Sequence, residues 1–140
     1  MDEKIIKGLI SKAAEMRKVS YTPYSKFNVG AALLAKNGKI YTGCNIENAS
    51  YSATNCAERT AFFKAVSENV KEFSAIAIVG GHADAEELDF CFPCGVCRQV
   101  MSEFCDDDFK IIIAKSEDIY KIYTLPELLP ERFGPKDIFG

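Results

Sequence analysis

Asn55-Cys56-Ala57-Glu58-Arg59-Thr60-Ala61 and, downstream, Pro93-Cys94-Gly95-Val96-Cys97-Arg98-Gln99 flank the apolar run Phe73 to Val79. Asn55 has the side chain of an N-cap, and Ala61, Phe62, Ala65 and Val66 follow at the spacing of one buried face. A helix is therefore predicted from Cys56 to about Ser67. A second helix is expected to open near Pro93, where a fixed φ suits the first turn. Phe73 to Val79 reads as a buried strand ending in Gly80-Gly81. Helix, strand and helix in succession at the centre of the chain place it in the α/β class.

Upstream of this unit, Ile5, Ile6, Leu9, Ile10, Ala13 and Ala14 recur at helical spacing, predicting an amphipathic helix over roughly Asp2 to Lys18. Pro23 breaks the pattern within Tyr21 to Tyr24. Phe27 to Ala35 is strand-like, Asn37-Gly38 is a hairpin turn, and Lys39 to Ile46 returns as a second strand. Downstream, an acidic loop (Asp84, Glu86, Glu87, Asp89) precedes the second helix of the central unit. Two further strands, Phe109 to Ala114 and Ile119 to Tyr123, lead to a short helix over Pro126 to Leu129. The order α-β-β-α-β-α-β-β-α predicts a three-layer α-β-α sandwich built on a mixed five-stranded sheet.

With 140 residues the chain is expected to form one domain, residues 1–140. A net charge of −3 and the lack of any basic block argue against a nucleic-acid partner. No apolar run reaches the length of a membrane span, and the polar start Met1-Asp2-Glu3-Lys4 does not read as a signal peptide. Six cysteines without an export signal point to reduced thiols or metal ligands, and the cytosol is the expected compartment.

Both cysteine stretches begin predicted helices, where partial positive charge favours the thiolate that binds metal. Cys94 and Cys97 have the spacing of a zinc-chelating pair, and Cys56 would be a third ligand. Three protein ligands leave one tetrahedral position for water, as in a catalytic zinc site. Glu58, two residues from Cys56, could move that water's protons. The plainer alternatives are a redox pair, or a closed structural site that recruits Cys91 or Cys105. The pattern shows only one paired knuckle where a closed site would normally show two. Cys44 reads as a buried strand residue, Cys91 and Cys105 as spectators, and His82 as a solvated loop residue. Asn55-x-x-Glu58 also matches a capping box, in which Glu58 would merely serve the backbone of Asn55. Three thiolates on a divalent ion leave net negative charge. Arg59, on the turn after Cys56, could offset it by donating to sulfur, although a solvated helix arginine fits the spacing equally well.

The same residues and their neighbours closely resemble the small, homotetrameric cytidine deaminases. The likeness runs through Tyr21-Thr22-Pro23-Tyr24-Ser25-Lys26-Phe27, Val29-Gly30-Ala31-Ala32-Leu33 and Gly43-Cys44-Asn45-Ile46-Glu47-Asn48-Ala49-Ser50-Tyr51. It continues through both cysteine stretches to Leu128-Leu129-Pro130 and Phe133-Gly134. The resemblance implies one zinc per chain on Cys56, Cys94 and Cys97, with Glu58 as proton shuttle. It further implies that Phe27 packs near the pyrimidine, that the main chain of Ala57 helps fix the base, and that Asn45 and Glu47 hold a ribose hydroxyl. Ala49, Tyr51 and Phe133 would be lent across subunits of a homotetramer. Phe92 departs from the family, which usually has serine before Pro-Cys, so a local repacking or a modest change in substrate contacts is expected there, without loss of the chemistry.

The implied reaction is hydrolytic deamination of cytidine and 2′-deoxycytidine in pyrimidine salvage. A blasticidin-type deaminase is the near alternative, and Asn45-Ile46-Glu47-Asn48 with Arg59 favours the nucleoside enzyme. A polynucleotide deaminase is opposed by the acidic balance and by cysteine in place of the usual first histidine ligand. A zinc-stabilised binding module without catalysis is the alternative of a different class.

Overall fold

The computed structural model describes residues Met1–Gly140. Helix α1 spans Glu3–Met16 and is followed by a 3-10 turn, Arg17–Val19. Strands β1 (Phe27–Ala35) and β2 (Ile40–Cys44) form the predicted hairpin, with Gly38 at φ 91 in its turn. A second 3-10 turn, Tyr51–Ala53, precedes α2 (Ala57–Ser67), β3 (Phe73–His82) and α3 (Gly95–Phe104). Strands β4 (Lys110–Ala114) and β5 (Tyr120–Thr124) lead into short helices α4 (Leu125–Leu128) and α5 (Pro135–Phe139).

The five strands make one sheet in the order β2-β1-β3-β4-β5. Only β3 and β4 run parallel, joined by the α3 crossover, and the other neighbours are antiparallel. The predicted mixed sheet and its order of elements are thus observed, with α5 as an addition.

Strand alternation divides the core in two. Ala32, Ala75, Ala77, Val79, Ile112 and Ala114 pack under Ile6, Leu9, Ile10 and Ala13 of α1. On the opposite face Val29, Ala31, Leu33, Ile76, Ile78, Ile111 and Ile113 pack with Ala57, Ala61, Phe62 and Ala65 of α2 and Met101 of α3. The alanines under α1 let it approach closely, and a Cβ on Gly30 would lie 1.8 Å from the Ala13 carbonyl oxygen. Gly43 plays the same part on the other face, where a Cβ would lie 2.3 Å from the Ala57 oxygen. The first turn of α2 therefore rests directly on the backbone of β2.

Three boundaries differ from expectation. Asp2 caps α1, accepting from the Lys4 amide at 2.8 Å, and α1 ends before the 3-10 turn rather than running to Lys18. β3 continues through Gly80-Gly81 to His82. Those glycines pair with Val29 and Asn28 of β1, and glycine suits both places because a Cβ on Gly80 would come within 2.7 Å of Cys91 Sγ, and one on Gly81 within 2.6 Å of Leu88 Cδ2. Finally, β2 stops at Cys44, so Asn45 and Glu47 lie beyond the strand on either side of Ile46, which bridges to Tyr21 and Asn55.

Candidate metal and catalytic site

Cys56 is the N-cap of α2, and Cys94 is the N-cap of α3. Neither helix has a side-chain cap, so both present first-turn amides and the positive end of the helix dipole toward the thiols. Cys97 follows one turn into α3 and is fully buried, whereas Cys56 is half-buried and Cys94 exposed. The sheet brings the two helix starts together. All three Sγ atoms lie within 4.8 Å of one another, and Cys56 Sγ is 3.7 Å from Cys94 Sγ. A tetrahedral zinc with Zn–S bonds of ~2.3 Å requires ligand sulfurs ~3.8 Å apart. All six cysteines are free thiols, and no sulfur pair stands at the ~2.05 Å of a disulfide. The donor set fits zinc.

Cys91 and Cys105 stand outside this cluster. Cys91 packs against Gly80, and Cys105 is the buried C-cap of α3. Cys44 is buried at the end of β2, its thiol 3.6 Å from the Val19 carbonyl oxygen. His82 is exposed, as expected, at the end of a strand rather than in a loop.

The thiols are not equivalent. Hydrogen bonding from Cys97, and then from Arg59, holds the Cys56 thiol at about 5, against the effect of burial. Cys97 is pushed far up by its bond to Cys56 and by burial. Arg59 donates Nη2 to Cys56 Sγ at 3.1 Å, while its buried Nε has no protein partner. Burial opposes the charged guanidinium, but its bonds to Cys56 and Cys97 outweigh this and raise its pKa. Arg59 thus belongs to the thiolate cluster and not to a solvated surface. Replacing it with alanine is expected to lower zinc affinity about 10–100-fold, measured by competition with a chromogenic chelator. Unchanged zinc affinity and turnover would remove it from the site.

Glu58 is buried to 4% exposure in the first turn of α2. Burial, reinforced by the negative charge of Cys56, raises its carboxyl to about 7. A group with that pKa can both accept and deliver a proton near neutrality. The capping-box alternative fails. Asn55 lies before the cap, its amide donates to Ile46 O at 2.9 Å, and its side chain donates to Thr60 Oγ1 at 3.2 Å. Glu58 is therefore not spent on the helix end.

Phe27 begins β1 and is 40% exposed. Asn45 braces it from behind, accepting from the Val29 amide at 2.9 Å and donating to Phe27 O at 2.8 Å. Glu47 accepts from the amides of Tyr24 (3.0 Å) and Ser25 (3.1 Å) and from the Ser25 hydroxyl. These two side chains already organise the Tyr24–Val29 segment, a structural duty that their spacing did not reveal. Glu47 also lines an open cleft of ≈ 410 Å³ with Tyr24, Ser25, Asn48, Tyr51 and Thr54. Ala57 is buried against Gly43, Ala49 is exposed in the loop after Glu47, and Tyr51 is exposed edge-on to Tyr24. Phe133 is 59% exposed, its carbonyl held by Gln99 Nε2 at 2.8 Å and Ser102 Oγ at 2.9 Å. Phe92 packs its ring edge-on against Tyr123, with the centroids 5.6 Å apart.

Arg98 has a role the sequence did not disclose. Its Nε donates to Pro93 O at 2.8 Å and its Nη1 to Leu128 O at 2.6 Å, fixing the turn that delivers Cys94. Only the contact across the fold to α4 identifies this.

A buried carboxyl beside three clustered thiols, held at two helix starts above a mixed sheet, defines a zinc hydrolase of the nucleobase-deaminating class. Residues 3–113 match the family model of the cytidine and deoxycytidylate deaminase zinc-binding region, and the chain belongs to that family. It is 49% identical over 133 residues to the cytidine deaminase of Sporosarcina psychrophila, covering 95% of this chain and 94% of that one. The cytidine deaminase of Halalkalibacterium halodurans is 48% identical, with 93% and 95% of the two chains covered. The crystal structure of cytidine deaminase from Burkholderia pseudomallei superimposes with a TM-score of 0.80 at 41% identity, over 90% of this chain and 97% of that one.

Proposed function

We propose that this chain, acting as a single domain over residues 1–140, hydrolytically deaminates cytidine and 2′-deoxycytidine to the uridine counterparts with release of ammonia, a step of pyrimidine salvage in the cytoplasm. The observation that carries this reading is the cluster of Cys56, Cys94 and Cys97 sulfurs beside the buried carboxyl of Glu58. Cys56, Cys94 and Cys97 would hold one zinc per chain, which would supply the Lewis acidity that makes water nucleophilic near neutral pH. Glu58 takes the proton that water gives up on attacking C4 and delivers it to the departing amino nitrogen. Arg59 draws charge from the thiolates and so preserves the electrophilic character of the centre. Phe27 packs on the pyrimidine, and the main chain of Ala57 fixes the base. The decisive assay follows the ultraviolet change as cytidine is converted, with and without a strong chelator. Chelator-sensitive loss of cytidine is expected, and a zinc-loaded protein inert toward cytidine would leave the blasticidin-type and binding-module readings.

Asn45 and Glu47 are assigned to a ribose hydroxyl, so the sugar helps hold C4 at the site. Free cytosine is expected to be a far poorer substrate than cytidine. Glu47→Ala should strongly reduce kcat/KM for cytidine and leave the feeble cytosine reaction almost unchanged. An equal fractional loss on both substrates would assign Glu47 solely to holding Tyr24 and Ser25.

The active form is proposed to be a homotetramer in which Ala49, Tyr51 and Phe133 serve a neighbouring subunit's site. The exposed rings of Tyr51 and Phe133 support this assignment. Mixing inactive Glu58→Gln chains with Phe133→Ala chains is expected to restore activity, because some sites then receive both native residues. Full activity of an isolated monomer would contradict it.

A further inference from the structure

Arg17 lies at the junction of α1 and the following 3-10 turn, and its guanidinium donates to backbone alone. Nε reaches Asn28 O at 2.8 Å, while Nη2 reaches Gly81 O at 3.0 Å and His82 O at 3.2 Å. Asn28 pairs with Gly81, and Phe27 with His82, across β1 and β3. One side chain therefore ties together the last two rungs of that ladder. Asn28 reciprocates, donating Nδ2 to Arg17 O at 3.2 Å, and its Oδ1 accepts from the Thr22 hydroxyl.

Each strand end leads to a different wall of the site. On β1, Asn28 follows Phe27, and Lys26 before it is held in the left-handed region at φ 59. A non-glycine residue keeps that conformation only where its neighbours pin it. Here the Lys26 amide donates to Thr22 O at 3.1 Å, and Lys26 O accepts from the Ala83 amide at 2.7 Å. On β3, Gly80 and Gly81 support Cys91 and Leu88, the segment that runs into Cys94.

We propose that Arg17 is a positioning residue for this reaction, setting the gap between the Phe27 wall and the loop that delivers Cys94 through the carbonyls of Asn28, Gly81 and His82. The inference rests on the reading of Phe27 as the pyrimidine contact. A planar, forked guanidinium can reach carbonyls on two strands at once, which a compact lysine ammonium cannot.

The test compares Arg17→Lys and Arg17→Met with Ile112→Val, which trims the α1-side core without touching the network. In the zinc-loaded enzyme both Arg17 variants are expected to lose about 10–100-fold in kcat/KM for cytidine, chiefly through KM, with zinc content unchanged. Ile112→Val should lower Tm and leave KM alone. The chain has no tryptophan, so Phe27→Trp supplies a single fluorophore for a readout independent of turnover. Adding Arg17→Lys to that reporter is expected to shift its emission to the red and increase quenching by acrylamide. A changed reporter with unchanged KM would uphold Arg17 as the brace and overturn Phe27 as the pyrimidine contact. Unchanged reporter and KM, a loss confined to kcat, or loss of zinc in Arg17→Lys would each overturn the proposal. Arg17→Lys keeps the stem and charge, so the comparison stands even where Arg17→Met does not fold.

Discussion

Glu58→Gln is expected to keep the fold and the zinc and to lose about 10²–10⁴-fold of turnover. The amide matches the carboxyl in size and hydrogen bonding but cannot accept the proton released by water. Its position makes the substitution clean, because Glu58 is 4% exposed, caps no helix and lies on a turn seated against Gly43. Turnover within a few-fold of wild type, in protein shown to hold zinc, would reduce Glu58 to a buried spectator. Stability supplies an independent check. The folded carboxyl is raised from 4.5 to about 7, so the native state binds the proton more tightly than the unfolded chain. Glu58 must therefore cost the fold stability as pH rises from about 4.5 to about 7, with the cost in full above that range. Denaturant titrations of chelator-treated wild type and Glu58→Gln should diverge across this window, the glutamine variant being the more stable at the alkaline end.

Replacing Cys56, Cys94 or Cys97 with serine is expected to abolish zinc retention and activity together. A hydroxyl does not supply the soft, anionic donor that a thiolate supplies, and a site with two remaining sulfurs falls below the three protein ligands of a catalytic zinc. Cys91→Ser and Cys105→Ser should bind zinc as wild type does, because neither sulfur belongs to the cluster. Metal analysis after dialysis against a weak chelator, paired with the cytidine assay, separates the two groups. If Cys91 or Cys105 proved as necessary as the other three, the three-ligand assignment would be wrong. Circular dichroism on the same samples distinguishes loss of metal from loss of fold.

The physical reason these residues were legible in the sequence is local. Helix starts, strand alternation and the Cys94–Cys97 spacing are properties of short segments, so the ordering of elements and the candidate ligands could be read from the chain itself. Glu58 was ambiguous because its one local pattern, the distance from Asn55, also suits a cap. The Asn55 amide instead donates to Ile46 O across the fold, which rules out the capping box. Asn45 and Glu47 were legible as candidates but not as braces, since their partners at Tyr24, Ser25, Phe27 and Val29 belong to another strand and its approach.

By itself, then, the sequence determined the α/β class and the order of strands and helices, and marked Cys56, Cys94, Cys97 and Glu58 as candidates for the site. Each of these readings was made from a short segment, the two cysteine stretches being read separately. Tertiary structure alone decided that the two helix starts converge, bringing Cys56 and Cys94 sulfurs to 3.7 Å. It also decided that Gly80-Gly81 continue a strand, and that Arg59 faces sulfur rather than water. The brace formed by Arg17 belongs to the same category, because two of its three acceptors, the Gly81 and His82 carbonyls, lie 64 and 65 residues further along the chain. No local propensity encodes such a contact. It exists only once the sheet has set β1 beside β3 and α1 has settled, over Gly30 and the alanines, onto both.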